Sequence, residues 1–120
     1  MGIQTSLLVL MLFLVPQADL KTVNGEVVQV QNGDTFTLKT DRDKLHKVRL
    51  ADIDAPEMRQ PFGRAAQRLV VDLAMGKIVR VNYIYKDKYK RLIGEVFLPD
   101  GKLLNEEMLQ SGLAWHYRVK

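Results

Sequence analysis

From Lys21 onward, apolar and polar residues alternate with a period close to two, which is typical of half-buried β-strands. In the first of these runs Val28 and Val30 alternate with glutamines, and Asn32-Gly33, a strong hairpin signal, follows. The pattern predicts five strands, placed around residues 28–30, 36–38, 48–50, 78–85 and 92–98.

Two segments instead carry the helical period. Apolar residues recur at i, i+3, i+4 and i+7 from Phe62 to Leu73, with Pro61 suited to begin a helix and Gly76 to end it. A shorter helix is predicted over residues 103–111. Five strands with one helix between the third and fourth give a mainly β (α+β) chain, arranged as an OB-fold barrel with two short helices.

Residues 1–18 differ from the rest of the chain, because they carry no charged side chain and contain an unbroken apolar run over 7–15. This run is too short to span a bilayer, which needs roughly 20 residues. We expect 1–18 to be a signal peptide and 19–120 to be the folded domain, secreted or periplasmic. An uncleaved membrane anchor and a buried N-terminal strand are the alternatives.

Composition fits one folded domain that contacts polyanions. The chain has 120 residues, 47% of them hydrophobic and 27% charged, enough for one core. Its net charge of +4 favours nucleic acid or an anionic membrane as a partner. Cysteine is absent from the sequence, which excludes disulfides and thiolate–zinc sites.

The most informative stretch is 48–57, where one arginine and three carboxylates follow an apolar alternation. Asn-Gly-Asp-Thr at 32–35 and Asp-Lys-Tyr-Lys-Arg at 87–91 add further acids and an arginine. Carboxylates suit a hard cation, and arginines can bind phosphate oxygens through two nitrogens at once. Together they indicate phosphodiester cleavage, which needs charge neutralisation and an activated water.

Each of these residues also has an ordinary structural interpretation. Asp34 suits a tight turn, and Asp54 with Glu57 matches a helix-capping pattern. Arg49 and Arg91 fit an ordinary basic surface. The combination of these groups, rather than any one of them, favours the site.

The chain resembles the thermonuclease (staphylococcal nuclease-like) family from Lys21 to Tyr117. The motifs that carry the resemblance lie in one order at 32–35, 48–57, 60–66, 87–91, 105–106 and 112–115. The resemblance implies an OB-fold enzyme that hydrolyses DNA and RNA with one Ca²⁺ ion, leaves 3′-phosphate ends and has little sequence preference. It places Asp34 and Asp54 as calcium carboxylates and Ala55 as a donor of its backbone carbonyl.

The same resemblance implies the remaining roles. Glu57 matches the general base or organiser of the attacking water, and Arg49 and Arg91 match the pair that binds the scissile phosphate. Lys88 and Tyr89 match contacts to a terminal phosphate. The expected partners are DNA and RNA, with single strands preferred, and we expect a monomer without a stable protein partner.

Some positions depart from the family. Asn32 replaces an aspartate near the calcium, and Lys90 replaces a glycine before the second arginine. The loop over 57–61 is short, and the family's C-terminal helix is expected to be missing after Lys120.

Two questions stay open. Tyr83, Tyr85 and Trp115 suit base stacking, although core packing is the preferred interpretation. The alternative function is a non-catalytic OB-fold module that binds nucleic acid.

Overall fold

The computed structural model describes residues 19–118, so the predicted signal segment 1–18 lies outside the described residues. The elements in chain order are β1 (Lys21–Val30), β2 (Thr35–Lys39), β3 (Leu45–Leu50), β4 (Ile53–Asp54), α1 (Gly63–Ala74), β5 (Ile78–Lys86), β6 (Leu92–Phe97), α2 (Leu104–Gln110) and β7 (Trp115–His116). Over residues 19–118, neither helix has the length and apolar character needed to cross a bilayer.

Five strands close into a barrel in the order β1-β2-β3-β6-β5. Neighbours are antiparallel except β3 and β6, which run parallel and complete the closure. The predicted five-stranded OB-type barrel with two helices is therefore confirmed. The short strands β4 and β7 were not predicted, and they form a separate ribbon that pairs Ile53 with His116 and Asp54 with Trp115.

Branched and aromatic side chains fill the barrel, with Phe36 among the fully buried residues. The inward face of β1 differs from the prediction because a bulge interrupts its pairing with β2 between Val27 and Gln29. The buried residues are Val27 and Val30, while Val28 is half-buried. The regular alternation predicted for Val28 and Val30 therefore does not hold through the bulge.

The two helices cover the barrel through small and aliphatic side chains. Helix α1 buries Ala66 and Val70, as its period predicts, and also Ala74, which follows the predicted run. Its start differs from the prediction, since Phe62 precedes the helix at a left-handed φ of 65° and is exposed rather than part of the core face. In α2, Leu104 and Met108 are buried.

A buried asparagine joins α2 to the barrel near the end of β3. Asn105 accepts the N–H of Val96 at 3.0 Å and donates to the carbonyls of Ala51 at 3.1 Å and Gly94 at 3.2 Å. Buried polar groups stabilise a fold only when they are paired, and Asn105 uses both its oxygen and its amide nitrogen. These contacts fix the turn between β3 and β4, which leads into the candidate site.

Candidate active site

The hairpin between β1 and β2 presents Asp34 toward β4. The side-chain oxygen of Asn32 accepts the N–H of Asp34 at 2.9 Å and so shapes the turn. A Cβ on Gly33 would lie 2.6 Å from Cβ of Ala66 and 2.8 Å from Cβ of Ala55. Because only glycine fits this contact, the hairpin packs closely enough for Asp34 to reach Ala55.

Two carboxylates converge on a single peptide group. The N–H of Ala55 donates to Oδ2 of Asp34 at 3.2 Å and to Oδ1 of Asp54 at 3.1 Å. Burial raises the pKa of Asp54, and a hydrogen bond with Asp34 and its negative charge raise it further, while Arg49 opposes the shift. The pair therefore has an excess of negative charge that a cation would relieve.

Arg49 lies against both carboxylates. Its Nε is 3.6 Å from Oδ1 of Asp34, and its Nη2 is 3.2 Å from Oδ1 of Asp54. Its Nη1 donates to the carbonyls of Leu50 and Ile53, each at 2.7 Å. The backbone at the end of β3 and in β4 thus holds the guanidinium in place beside the acids.

The second arginine is held by a local turn. Asp87 accepts the N–H groups of Tyr89 and Arg91 through Oδ1, both at 2.9 Å, and pairs with Nε of Arg91 at 2.8 Å through Oδ2. Burial alone would raise the pKa of Asp87, but these hydrogen bonds and the charge of Arg91 hold it below its usual value. Lys90 takes a left-handed φ of 64° in this turn.

Arg49 and Arg91 line one cavity of about 460 Å³, together with Asp87, Tyr85 and Tyr117. A bulge in β5 between Tyr83 and Tyr85 alters the side-chain alternation there, and Tyr85 is 53% exposed. The preferred core-packing interpretation is therefore wrong for Tyr85. It is also wrong for Trp115, which is 49% exposed, whereas Tyr83 is half-buried against the core.

Lys88 and Tyr89 lie exposed in the turn that precedes Arg91. The Tyr89 ring has Nζ of Lys88 at 5.2 Å and Cζ of Arg91 at 5.4 Å from its centroid. Both distances suit cation–π contacts. The structure thus places the predicted terminal-phosphate contacts directly beside Arg91.

Glu57 is not among the residues that line this cavity; it lies in the loop between β4 and α1, where its side chain is exposed. Its backbone is well held, since its N–H donates to Oε1 of Gln60 at 2.7 Å and its carbonyl accepts the N–H of Gln60 at 2.9 Å. A Cβ on Gly63 would collide with the Glu57 carbonyl, so the start of α1 packs directly on this loop. Because α1 begins at Gly63, the helix-capping interpretation of Asp54 and Glu57 is wrong.

The donor set fits one hard cation. Over residues 19–118, His, Cys, Asp and Glu side chains do not form a preformed cluster of three or more. Asp34 and Asp54 are close enough to interact, and the backbone of Ala55 lies beside both. The two carboxylates suit Ca²⁺, and its remaining ligands would be the Ala55 carbonyl that the resemblance implies, water and substrate oxygens.

Sequence reasoning did not identify two residues that shape the site. Asp87 was treated as part of a charged motif, and its four-residue spacing from Arg91 was the available signal for an ion pair. Asn105 belongs to one of the family motifs, but a polar residue directly after Leu104 in a predicted helix gives little sign of burial.

A closed five-stranded barrel with a helix inserted after its third strand defines a protein of the OB-fold class. A family model described as staphylococcal nuclease homologue matches residues 47–120. The chain therefore belongs to the staphylococcal nuclease-like family.

Three relatives illustrate the similarity. An uncharacterised endonuclease of Escherichia coli O157:H7 is 41% identical over 95 residues, covering 79% of this chain and 61% of that protein. A micrococcal nuclease of Shigella flexneri is 40% identical over 102 residues, covering 78% of this chain and 58% of that protein. A staphylococcal-like nuclease of Arabidopsis thaliana is 38% identical over 74 residues, covering 62% of this chain and 23% of that protein. The match thus spans about three fifths of the two bacterial relatives.

Proposed function

We propose that this protein is a Ca²⁺-dependent nuclease that hydrolyses phosphodiester bonds of DNA and RNA with little sequence preference. The observation that carries the proposal is the meeting of Arg49 and Arg91, from separate elements, in one cavity beside the Asp34–Asp54 pair. The family membership and the nuclease names of the relatives support it.

The carboxylates of Asp34 and Asp54 and the carbonyl of Ala55 would hold one Ca²⁺ ion. When bound, the ion supplies positive charge where negative charge grows on the phosphate oxygens. Arg91 binds a phosphate oxygen through its terminal nitrogens, since its Nε is used by Asp87. Arg49 adds a second cation whose position the backbone of Leu50 and Ile53 fixes.

Glu57 accepts a proton from the attacking water. The water oxygen forms a bond to phosphorus, the bond from phosphorus to the 5′ oxygen breaks, and that oxygen takes up a proton from solvent as it leaves, while Glu57 later returns its proton to solvent. The products are a 3′-phosphate and a 5′-hydroxyl. Lys88 and Tyr89 bind a terminal phosphate from the edge of the Arg91 turn.

The test is cleavage of labelled single-stranded DNA by matched variants. Glu57→Gln and Arg91→Ala should each lower kcat by at least about 10²-fold, since general-base and charge-stabilising groups contribute on that order. The controls Glu106→Gln and Arg68→Ala change exposed residues of the two helices and should leave kcat unchanged. Near-normal rates for Glu57→Gln and Arg91→Ala would show that the site is misplaced, and binding without any cleavage by the unaltered protein would indicate a non-catalytic module.

We also propose that the protein acts as an exported monomer on single strands. A mature N-terminus near Asp19 would support export, and retention of Met1 would argue for an anchor. Sedimentation at increasing concentration tests the monomer, and competition between single and double strands tests the preference.

A further inference from the structure

A second cavity, of about 490 Å³, lies between the loop before α1 and the segment that joins α2 to β7. We call it the aromatic groove, and its lining includes Pro56, Phe62, Leu113 and Trp115. Its volume falls in the range of sites that take small organic groups, about 300–1,000 Å³.

Two aromatic side chains of this groove are exposed to solvent. Phe62 is 73% exposed and Trp115 is 49% exposed. Phe62 also adopts a left-handed φ of 65°. This conformation is unfavourable in free energy for any residue that has a Cβ. Core packing of the ring does not offset that cost, because the ring is mostly outside the core.

The aromatic groove adjoins the candidate active site. Trp115 is the pairing partner of Asp54 in the β4–β7 ribbon, so their backbones are separated by roughly 5 Å, one interstrand spacing. Pro56 lines the groove and directly precedes Glu57. A strand bound at the active site would therefore run close to the groove.

We propose that the aromatic groove binds a nucleobase of the single strand whose phosphate lies between Arg49 and Arg91. The inference rests on the proposed nuclease function, because that function places the strand beside the groove. Every base presents a flat face to an aromatic ring, so this contact adds affinity without reading sequence. Charge complementarity supports the same occupant, since the exposed Arg59 and Arg64 flank Phe62 in sequence and suit the phosphates of the strand.

The chain offers a direct probe, because Trp115 is its single tryptophan. We expect a thymidine oligonucleotide, added with chelator so that it stays intact, to quench the fluorescence of Trp115 to saturation. An oligonucleotide of equal length with abasic sites throughout should bind, as followed by anisotropy, with little quenching. Phe62→Ala should weaken binding of the thymidine oligonucleotide about 5- to 150-fold, the equivalent of 1–3 kcal/mol for one stacked base.

The control is Leu45→Ala, which removes an exposed apolar side chain from β3 and should leave binding unchanged. Equal quenching by the abasic strand, unchanged affinity of Phe62→Ala, or cleavage without any change in Trp115 fluorescence would each overturn the inference. The last of these results would leave the nuclease proposal intact. Base-dependent quenching by a protein that never cleaves would do the opposite, supporting the aromatic groove and contradicting the nuclease.

Discussion

Replacement of Arg49 by alanine removes the guanidinium that lies against both Asp34 and Asp54. Four contacts disappear with it, two to backbone carbonyls at 2.7 Å and two to carboxylates at 3.2 and 3.6 Å. The two acids then face each other without this counter-charge. We therefore expect Arg49→Ala to destabilise the fold as well as to impair the site.

The magnitude follows from the burial of the three side chains. Removing one partner of a fully buried ion pair costs about 3–5 kcal/mol. Here the side chains of Arg49, Asp34 and Asp54 are 14%, 9% and 36% exposed, so solvent screens part of the effect. We expect a loss of about 2–4 kcal/mol in the free energy of unfolding, which lowers Tm by roughly 10–20 °C in a domain of this size.

Calcium gives this prediction a second readout. A cation bound between the carboxylates would restore the missing counter-charge, and a ligand at 100 times its Kd adds about 2.7 kcal/mol of stability. Thermal melts with and without Ca²⁺ should show a larger increase in Tm for Arg49→Ala than for the unaltered protein. Arg68→Ala, on the exposed side of α1, is the matched control and should melt like the unaltered protein in both conditions.

Two results would refute this reasoning. A Tm for Arg49→Ala within measurement error of the unaltered value would show that the guanidinium does not compensate the carboxylates. An equal or smaller Ca²⁺ response in Arg49→Ala would show that the ion does not bind at Asp34 and Asp54.

Three further predictions concern the turns that position the site. Gly33→Ala should lower the free energy of unfolding by about 1–3 kcal/mol and reduce Ca²⁺ affinity, because the added methyl would collide with Ala55 and Ala66. Calorimetric titration measures the affinity, and unchanged Ca²⁺ binding would contradict the packing argument. Lys90→Gly should raise the free energy of unfolding by on the order of 1 kcal/mol, and Tm with it, since glycine adopts the left-handed φ of 64° without strain; a lower Tm would show that the conformation is not strained. The pKa of Asp87 is lowered in the fold, so its contribution to stability is present above the unfolded carboxyl pKa of about 3.9 and is lost as pH falls through the lower folded pKa. Asp87→Asn should therefore reduce the acid sensitivity of Tm, and identical pH profiles would refute the assignment.

The sequence predicted the barrel because five of its strands are long enough to display a period of two. Strands β4 and β7 contain two residues each, too few for any period, and were missed. The regular alternation predicted for Val28 and Val30 does not hold because a bulge shifts side-chain alternation without changing composition. Phe62 continues the helical apolar pattern, but its left-handed backbone places it before the helix begins.

The candidate site could likewise be predicted only in part from the sequence. Motif spacing indicates Asp34, Arg49 and Arg91, since charged residues within short motifs can be read directly from a sequence. The partners that fix Arg49 are backbone carbonyls, which have no signature in the sequence, and the close contact of Gly33 with α1 depends on tertiary packing.

The most direct test of the central claim is cleavage of single-stranded DNA by the purified protein as Ca²⁺ is added, removed by chelator and restored. The proposed site predicts cleavage that follows the ion and products that end in 3′-phosphate. Cleavage that is indifferent to the chelator would contradict the assignment of Asp34 and Asp54, and intact DNA in the presence of Ca²⁺ would contradict the nuclease itself.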